Sequence, residues 1–230
     1  MGLLRITLAL TVVLAHSGSL FGLTFTGGVV AVEVFFIISG FYMSMILDKK
    51  YIGKGSYYLF ISNRLLRLYP VYWTILFLTL LVSLITIICS GTLENSILSP
   101  YITFYNKFSL ETLIFLILTN IFLLGQDVVM FLGINPENGN VFFTQNFWNT
   151  SPQFFRFLIV PQAWTLGIEL MFYLIAPLLV KRKAQYIILL IFFSLGIRLY
   201  TYVVLKYSFD PWTYRFFPSE LALFLLGTLS

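Results

Sequence analysis

Residues 1–22, MGLLRITLALTVVLAHSGSLFG, decide what kind of molecule this is. The stretch is apolar for about one bilayer crossing, yet it carries Arg5 near one end and His16, the only histidine in the chain, well inside it. Ionisable groups at membrane depth are costly and ordinarily mark function. The eleven-residue separation of Arg5 and His16 amounts to about three helical turns plus ~20°. Both side chains therefore project from one helical face, ~16 Å apart along the axis. An arginine followed by an apolar run is also the layout of a signal peptide, but here equally apolar segments follow along the whole chain.

Outward from this stretch, the composition keeps the same character. Hydrophobic residues make up 59% of the 230 and charged residues 10%, with a mean hydropathy of +0.93, so the chain has too little polar material to cover a soluble core. Runs of about twenty apolar residues recur, and the alternating segments of about ten residues that mark a membrane β-barrel do not. The reading is an all-α polytopic integral membrane helical bundle, one domain over residues 1–230. The net charge of +5 lies in short clusters rather than on a basic surface, which argues against nucleic acid as a partner and for the lipid bilayer. Cys89 is the single cysteine, so there is neither an internal disulfide nor a cysteine-rich metal site, and no metal is expected.

Taken in order, the pattern predicts a helix over about 2–23, a turn at Thr26, Gly27 and Gly28, and a second helix over about 28–47. Lys49, Lys50, Lys54, Arg64 and Arg67 then mark a cytosolic loop over 48–67, which puts the N-terminus on the cytosolic side. A third helix is predicted from Tyr69 and Pro70 to Cys89, with proline in a first turn. The segment 112–132, broken by Gln126 and Asp127, reads as a re-entrant or interfacial element. If it crossed, the cluster Lys181–Arg182–Lys183 after the next helix, 162–180, would face outward. The polar stretch 133–160 then belongs to the outer face, as part of a substrate entrance. A helix over 185–205 returns outward, and a last one begins near Pro218 with only about a dozen apolar residues before Ser230. The expectation is thus about six complete membrane helices, the re-entrant or interfacial element and a truncated last helix.

In this orientation His16, Glu33 and Glu169 each fall roughly 8–11 Å below the outer surface, close enough in depth to share one site. Arg5, Arg64 and Arg67 collect at the cytosolic edge, the latter two at i, i+3, as an anion subsite.

Several segments carry a resemblance. The Arg5–His16 spacing resembles the R-x10-H motif of the membrane acyltransferase 3 family, and GGVVAVEVFFIISGFYMS (27–44) is similar to its glycine, acidic residue, FFxxSGF signature. NRLLRLYPVYW (63–73) resembles the family's RxxRxxP segment. WTLGIELMFYLIAPLL (164–179) is similar to its W-S-L-x-x-E helix, with Thr165 in the serine position and Glu169 retained. YRFFPSELALFLLG (214–227) resembles a later arginine-to-glycine motif.

The resemblance implies an inner-membrane enzyme that moves an acyl group, commonly acetyl, from cytosolic acyl-CoA to a hydroxyl of an extracytoplasmic carbohydrate or lipid-linked glycan. No cofactor is expected to be bound permanently; acetyl-CoA or another acyl-CoA is the donor substrate. About ten helices are usual in the family, so the chain would correspond to its N-terminal two thirds. Histidine suits the task of activating a hydroxyl near neutral pH, as general base or transient acyl carrier, and Glu33 or Glu169 would hold its tautomer. The planar forks of Arg5, Arg64 and Arg67 suit the phosphates of CoA. Arg198 and Arg215 are placed on the acceptor side, or as partners of Glu169 or Glu220. The alternative from another class is a proton-coupled transporter or flippase-like carrier, with His16, Glu33 and Glu169 as the relay.

Overall fold

The computed structural model describes residues 2–18, 26–93 and 96–230. Eight α-helices follow one another among them: α1 (Gly2–Ser17), α2 (Gly28–Lys49), α3 (Ser56–Ser90), α4 (Ser99–Phe104), α5 (Leu110–Phe122), α6 (Trp164–Leu179), α7 (Ala184–Val203) and α8 (Phe217–Leu229). Between α5 and α6 lies a short antiparallel hairpin, β1 (Leu132–Ile134) and β2 (Val141–Phe143), with Leu132 opposite Phe143.

Four of these helices are long and apolar enough to cross a membrane: Gly28–Lys49, Ser56–Ser90, Pro161–Leu179, which adds a preceding turn to α6, and Ala184–Val203. About six complete membrane helices were expected; these four are the ones that meet the length and hydropathy of a span among the described residues. The first helix closes earlier than its apolar run suggested, because Gly18 takes φ +92° and its N–H closes the last turn on the Leu14 carbonyl at 3.0 Å. Residues 19–23, expected to complete it, lie outside the described residues. The predicted loop 48–67 shrinks to the few residues between Lys49 and Ser56, and Arg64 and Arg67 are inside a 35-residue helix. The helix-forming run LFISNRLLRL (59–68) carries α3 through Pro70, which keeps a helical φ and costs one backbone bond. At ~52 Å, α3 exceeds the ~30 Å hydrocarbon thickness, so a good part of it projects from the apolar layer. Segment 112–132 is helical only to Phe122, where Leu123 turns left-handed at φ 63°; the 13 residues of α5 make ~20 Å, short of a crossing.

The described residues form two compact units, 1–60 with 171–230, and 61–170. In the first, α2 buries Phe36, Gly40, Met43 and Leu47, a helical stripe, and packs against α8 through Phe36 and Gly40. Two glycines let these backbones meet. A Cβ on Gly40 would stand 1.8 Å from the Phe224 carbonyl oxygen, and one on Gly227 1.8 Å from that of Ile37. Phe224 stacks on Phe36 (4.7 Å between centroids) and on Phe172 (4.3 Å). α7 locks onto α8 through Ser194, whose hydroxyl donates to the Pro218 carbonyl (2.6 Å) and accepts from the Ala222 N–H (2.9 Å). α1 runs antiparallel to α2, with Leu8 packed between Ala31 and Ile38 and Ala15 against Gly28.

The charges of this unit separate by end. Lys181 donates to the Tyr51 carbonyl at 2.8 Å, bringing the 181–183 cluster beside the lysine-bearing turn after α2. Both basic segments therefore share one end, as charge asymmetry across a membrane demands.

The second unit is organised by aromatic donors. The last carbonyls of any helix lack intrahelical partners. Those of α5 find them on α3: Tyr72 donates to Asn120, Trp73 to Ile121 at 2.9 Å and Tyr69 to Phe122 at 2.7 Å. Asn120 in turn donates to the Leu116 and Phe157 carbonyls and accepts from the Ile159 N–H, tying the loop ahead of α6 to α5.

Candidate functional site

The first unit holds a buried charge cluster made by three helices. Glu33 sits in the second turn of α2, Arg198 near the C-terminal end of α7 and Glu220 in the first turn of α8, where the helix dipole favours a carboxylate. Arg198 Nη2 donates to Glu33 Oε1 at 2.6 Å and to the Thr213 carbonyl at 2.9 Å, and its Nη1 lies 3.8 Å from Glu220 Oε1. Glu220 is fully buried, Glu33 and Arg198 only partly. Ser219 reaches Glu220 Oε1 at 3.4 Å, while Glu220 Oε2 accepts no hydrogen bond among the described residues. One guanidinium thus serves two carboxylates. Beside it opens a cavity of about 370 Å³, walled by Arg198, Leu199, Tyr202, Tyr207, Trp212 and Thr213.

Arg5 and His16 stand at opposite ends of this unit. The Arg5 guanidinium lies over the Tyr42 ring at 4.4 Å, and its Nε is buried without a hydrogen-bond partner among the described residues. Tyr42 is about two turns, ~10 Å, from Lys49, so Arg5 belongs to the lysine-rich half. His16 lies in the last turn of α1, next to Ala15 and hence level with Gly28, about 8 Å along α2 from Glu33. It is exposed. The sequence put it seven residues from the helix end; the early stop at Gly18 puts it at the end itself.

The other expected site residues fall elsewhere. Arg64 is 8% exposed and Arg67 is exposed, so the i, i+3 pair on α3 is turned partly inward and partly outward. Glu169 is half-buried on α6, in the second unit with both arginines. Arg215 is engaged in the loop before α8: its Nε donates to Asp210 Oδ1 at 2.6 Å and its Nη2 to the Tyr214 hydroxyl at 2.9 Å. Burial pushes the Tyr214 phenol above its ordinary range, so it stays protonated and donates to Asp210 Oδ2.

Sequence reasoning missed one feature of the second unit. Gln126 and Asp127, read as an interruption of an apolar run, are buried: Gln126 donates to Tyr72 and to the Thr119 carbonyl, and Asp127 Oδ1 accepts no hydrogen bond among the described residues. Burial raises the Asp127 pKa. Adjacent polar residues inside an apolar segment were the available signal.

A family model described as an acyltransferase domain matches residues 1–229, essentially the whole chain. The chain belongs to the acyltransferase 3 family. No curated protein and no solved structure matches it. Family and apolar helices together make it an integral membrane acyltransferase. The geometry gives part of the motif set a packing role in this acyltransferase: Phe36 and Gly40 of FFxxSGF are where Phe224 and Gly227 of the later motif cross.

Proposed function

We infer that this acyltransferase moves an acyl group, commonly acetyl, from cytosolic acyl-CoA to a hydroxyl of an extracytoplasmic carbohydrate or lipid-linked glycan, in a bacterial inner membrane with its N-terminus cytosolic. The observation that carries the reading is the polarity of the first unit, with Arg5 toward the lysine-rich end and His16 toward the Glu33–Arg198–Glu220 end. The two groups are ~16 Å apart on α1, a distance suited to the extended, weakly charged arm between the phosphates of CoA and its thioester.

In the direct route the imidazole of His16 takes the proton of the acceptor hydroxyl as the oxygen attacks the thioester carbonyl. The C–S bond breaks, and the departing thiolate receives the proton from the imidazolium. In the relayed route the imidazole nitrogen first takes the acyl group and releases CoA thiol, and the hydroxyl then displaces the imidazole. Glu33 holds the histidine tautomer, Arg198 fixes the position of the Glu33 carboxylate, and Arg5 holds the CoA phosphates. Acyl-CoA is a substrate here, and no resident cofactor takes part.

The test follows radiolabel from acetyl-CoA on the cytosolic side of vesicles carrying the intact natural protein into extracytoplasmic glycan. His16→Ala at equal abundance is expected to abolish labelled glycan; label at the wild-type level in that variant refutes the assignment. Arg5→Ala is expected to raise the KM for acyl-CoA at least tenfold, and an unchanged KM refutes the donor subsite. One guanidinium between two carboxylates also fits a proton-coupled carrier, and proton flux without glycan labelling would favour that reading.

A further inference from the structure

Within the second unit, the turn of the β1–β2 hairpin and the segment from Thr144 to Ser151 enclose a polar cleft of about 530 Å³. Its volume falls in the range of small-molecule sites. The lining differs in kind from the apolar groove on α3 around Ile75 and Val82. It presents the amides of Asn135 and Asn149, the carboxylate of Glu137, the hydroxyl of Ser151 and one aromatic ring, Phe142, and it contains no lysine or arginine.

Both walls are held by bonds that leave these groups available. Asn135 anchors the hairpin turn: its N–H donates to the Asn140 carbonyl, its own carbonyl accepts from Gly139 N–H, and its Oδ1 accepts from Glu137 N–H at 2.8 Å. Its Nδ2 remains undonated among the described residues. Gly139, at φ +68°, is pressed against the start of α5, and its carbonyl accepts from the Thr112 hydroxyl at 2.7 Å. On the other wall Thr150 donates to the Phe147 carbonyl, and Asn146 Oδ1 accepts from Trp148 N–H, fixing the backbone that carries Asn149. Phe142 lies opposite Gly133 in the hairpin, and a Cβ at Gly133 would stand 2.6 Å from the ring. Glycine lets the ring lie over the strand with 45% of the residue exposed.

We propose that this cleft seats a neutral pyranose ring of the acceptor. Phe142 covers the C–H face of the sugar, and the Asn135 and Asn149 amides and the Glu137 carboxylate bond its hydroxyls. A planar apolar face ringed by amides, a hydroxyl and one carboxylate matches a sugar, which has one apolar face and a polar edge. Glu137, the one charged group among the lining residues, repels a phosphate or carboxylate. The segment precedes α6, which enters from the outer side by the charge rule, so the cleft faces the extracytoplasmic space. The identity of the sugar as acyl acceptor rests on the acyl-transfer reading; the cleft's affinity for it does not.

Saturation-transfer NMR on the intact protein in lipid nanodiscs tests this with methyl β-glucopyranoside and methyl β-galactopyranoside, and with galacturonate as anionic control. Saturation of the ring protons of at least one neutral glycoside is expected, with at least a fivefold weaker signal in Phe142→Ala and in the surface variant Asn149→Ala. Phe142→Tyr, which keeps an aromatic ring, is expected to keep the wild-type signal. No saturation in the wild type, an unchanged signal in both weakening variants, or a preference for galacturonate overturns the proposal. Label transfer separates the two readings. Sugar binding without transfer sinks the acyltransferase mechanism and leaves the cleft, whereas transfer with an unchanged acceptor KM in Phe142→Ala, Asn149→Ala sinks the cleft alone.

Discussion

Replacing Gly40 with alanine puts a methyl group where α8 already is. The built Cβ lies 1.8 Å from the Phe224 carbonyl oxygen and 2.7 Å from its carbonyl carbon, both backbone atoms that no rotamer change can move aside. Restoring an ordinary contact requires α2 and α8 to separate by at least ~1 Å, which forfeits a quarter to a half of the dispersion energy across the seam. The stacked rings of Phe36, Phe224 and Phe172 lie on that seam, and Gly227 is a second point of backbone approach on it. Overpacking of this kind costs about 3 kcal/mol, roughly two orders of magnitude in the folded-to-unfolded ratio. Gly196, in α7, is the internal control, because a Cβ there meets nothing within 4 Å. Alanine at that position gains helix propensity and should stabilise by up to about 1 kcal/mol. Titration with SDS in mixed micelles, followed by near-UV circular dichroism, measures both. Opposite signs are expected. Equal effects, or a Gly40→Ala variant as stable as wild type, would refute the close crossing of α2 and α8.

Arg198→Leu leaves fully buried Glu220 without its counter-charge and should destabilise by about 3 kcal/mol, part of which returns on adding Glu220→Gln; no recovery in the double variant would mean that the pair is not coupled. Tyr72→Phe strips a donor from the Asn120 carbonyl and a partner from Gln126, at an expected cost of about 1–3 kcal/mol in the same titration, whereas a neutral result would show that the α5 cap does not form. Asp127 carries a pKa raised by burial, so the stability its neutral form contributes is complete below its ordinary value of 3.8 and is lost as pH rises through the folded pKa. Asp127→Asn should therefore raise the melting temperature at neutral pH and leave it unchanged near pH 3; a variant equally shifted at both pH values would contradict this.

Much of the architecture was readable because hydrophobicity is written locally. Apolar runs announced α2, α6 and α7 to within a few residues, and the clusters after α2 and α6 announced a common end, which the Lys181–Tyr51 bond shows directly. Boundaries that depend on a single backbone torsion were not readable. Nothing in the composition of 1–22 says that Gly18 turns left-handed, yet that turn moves His16 from the interior of a helix to its end. Proline at position 70 suggested a helix start, but its φ serves a helix interior equally well once strong helix formers precede it. Among the described residues four helices, where about six crossings were expected, are long and apolar enough to span, because length after termination counts as well as apolar content.

The sequence by itself determined the class of the molecule, its charge asymmetry and its family, because each depends on residue type and spacing along the chain. Only the tertiary structure decided that Arg198 joins Glu33 to Glu220 and that Phe36 and Gly40 serve as the seat of Phe224. It likewise decided that Tyr69, Tyr72 and Trp73 close the end of α5. These partners stand 22 to 188 positions apart in the chain, and a buried charge or carbonyl takes whichever complementary group the packing of helices delivers within reach.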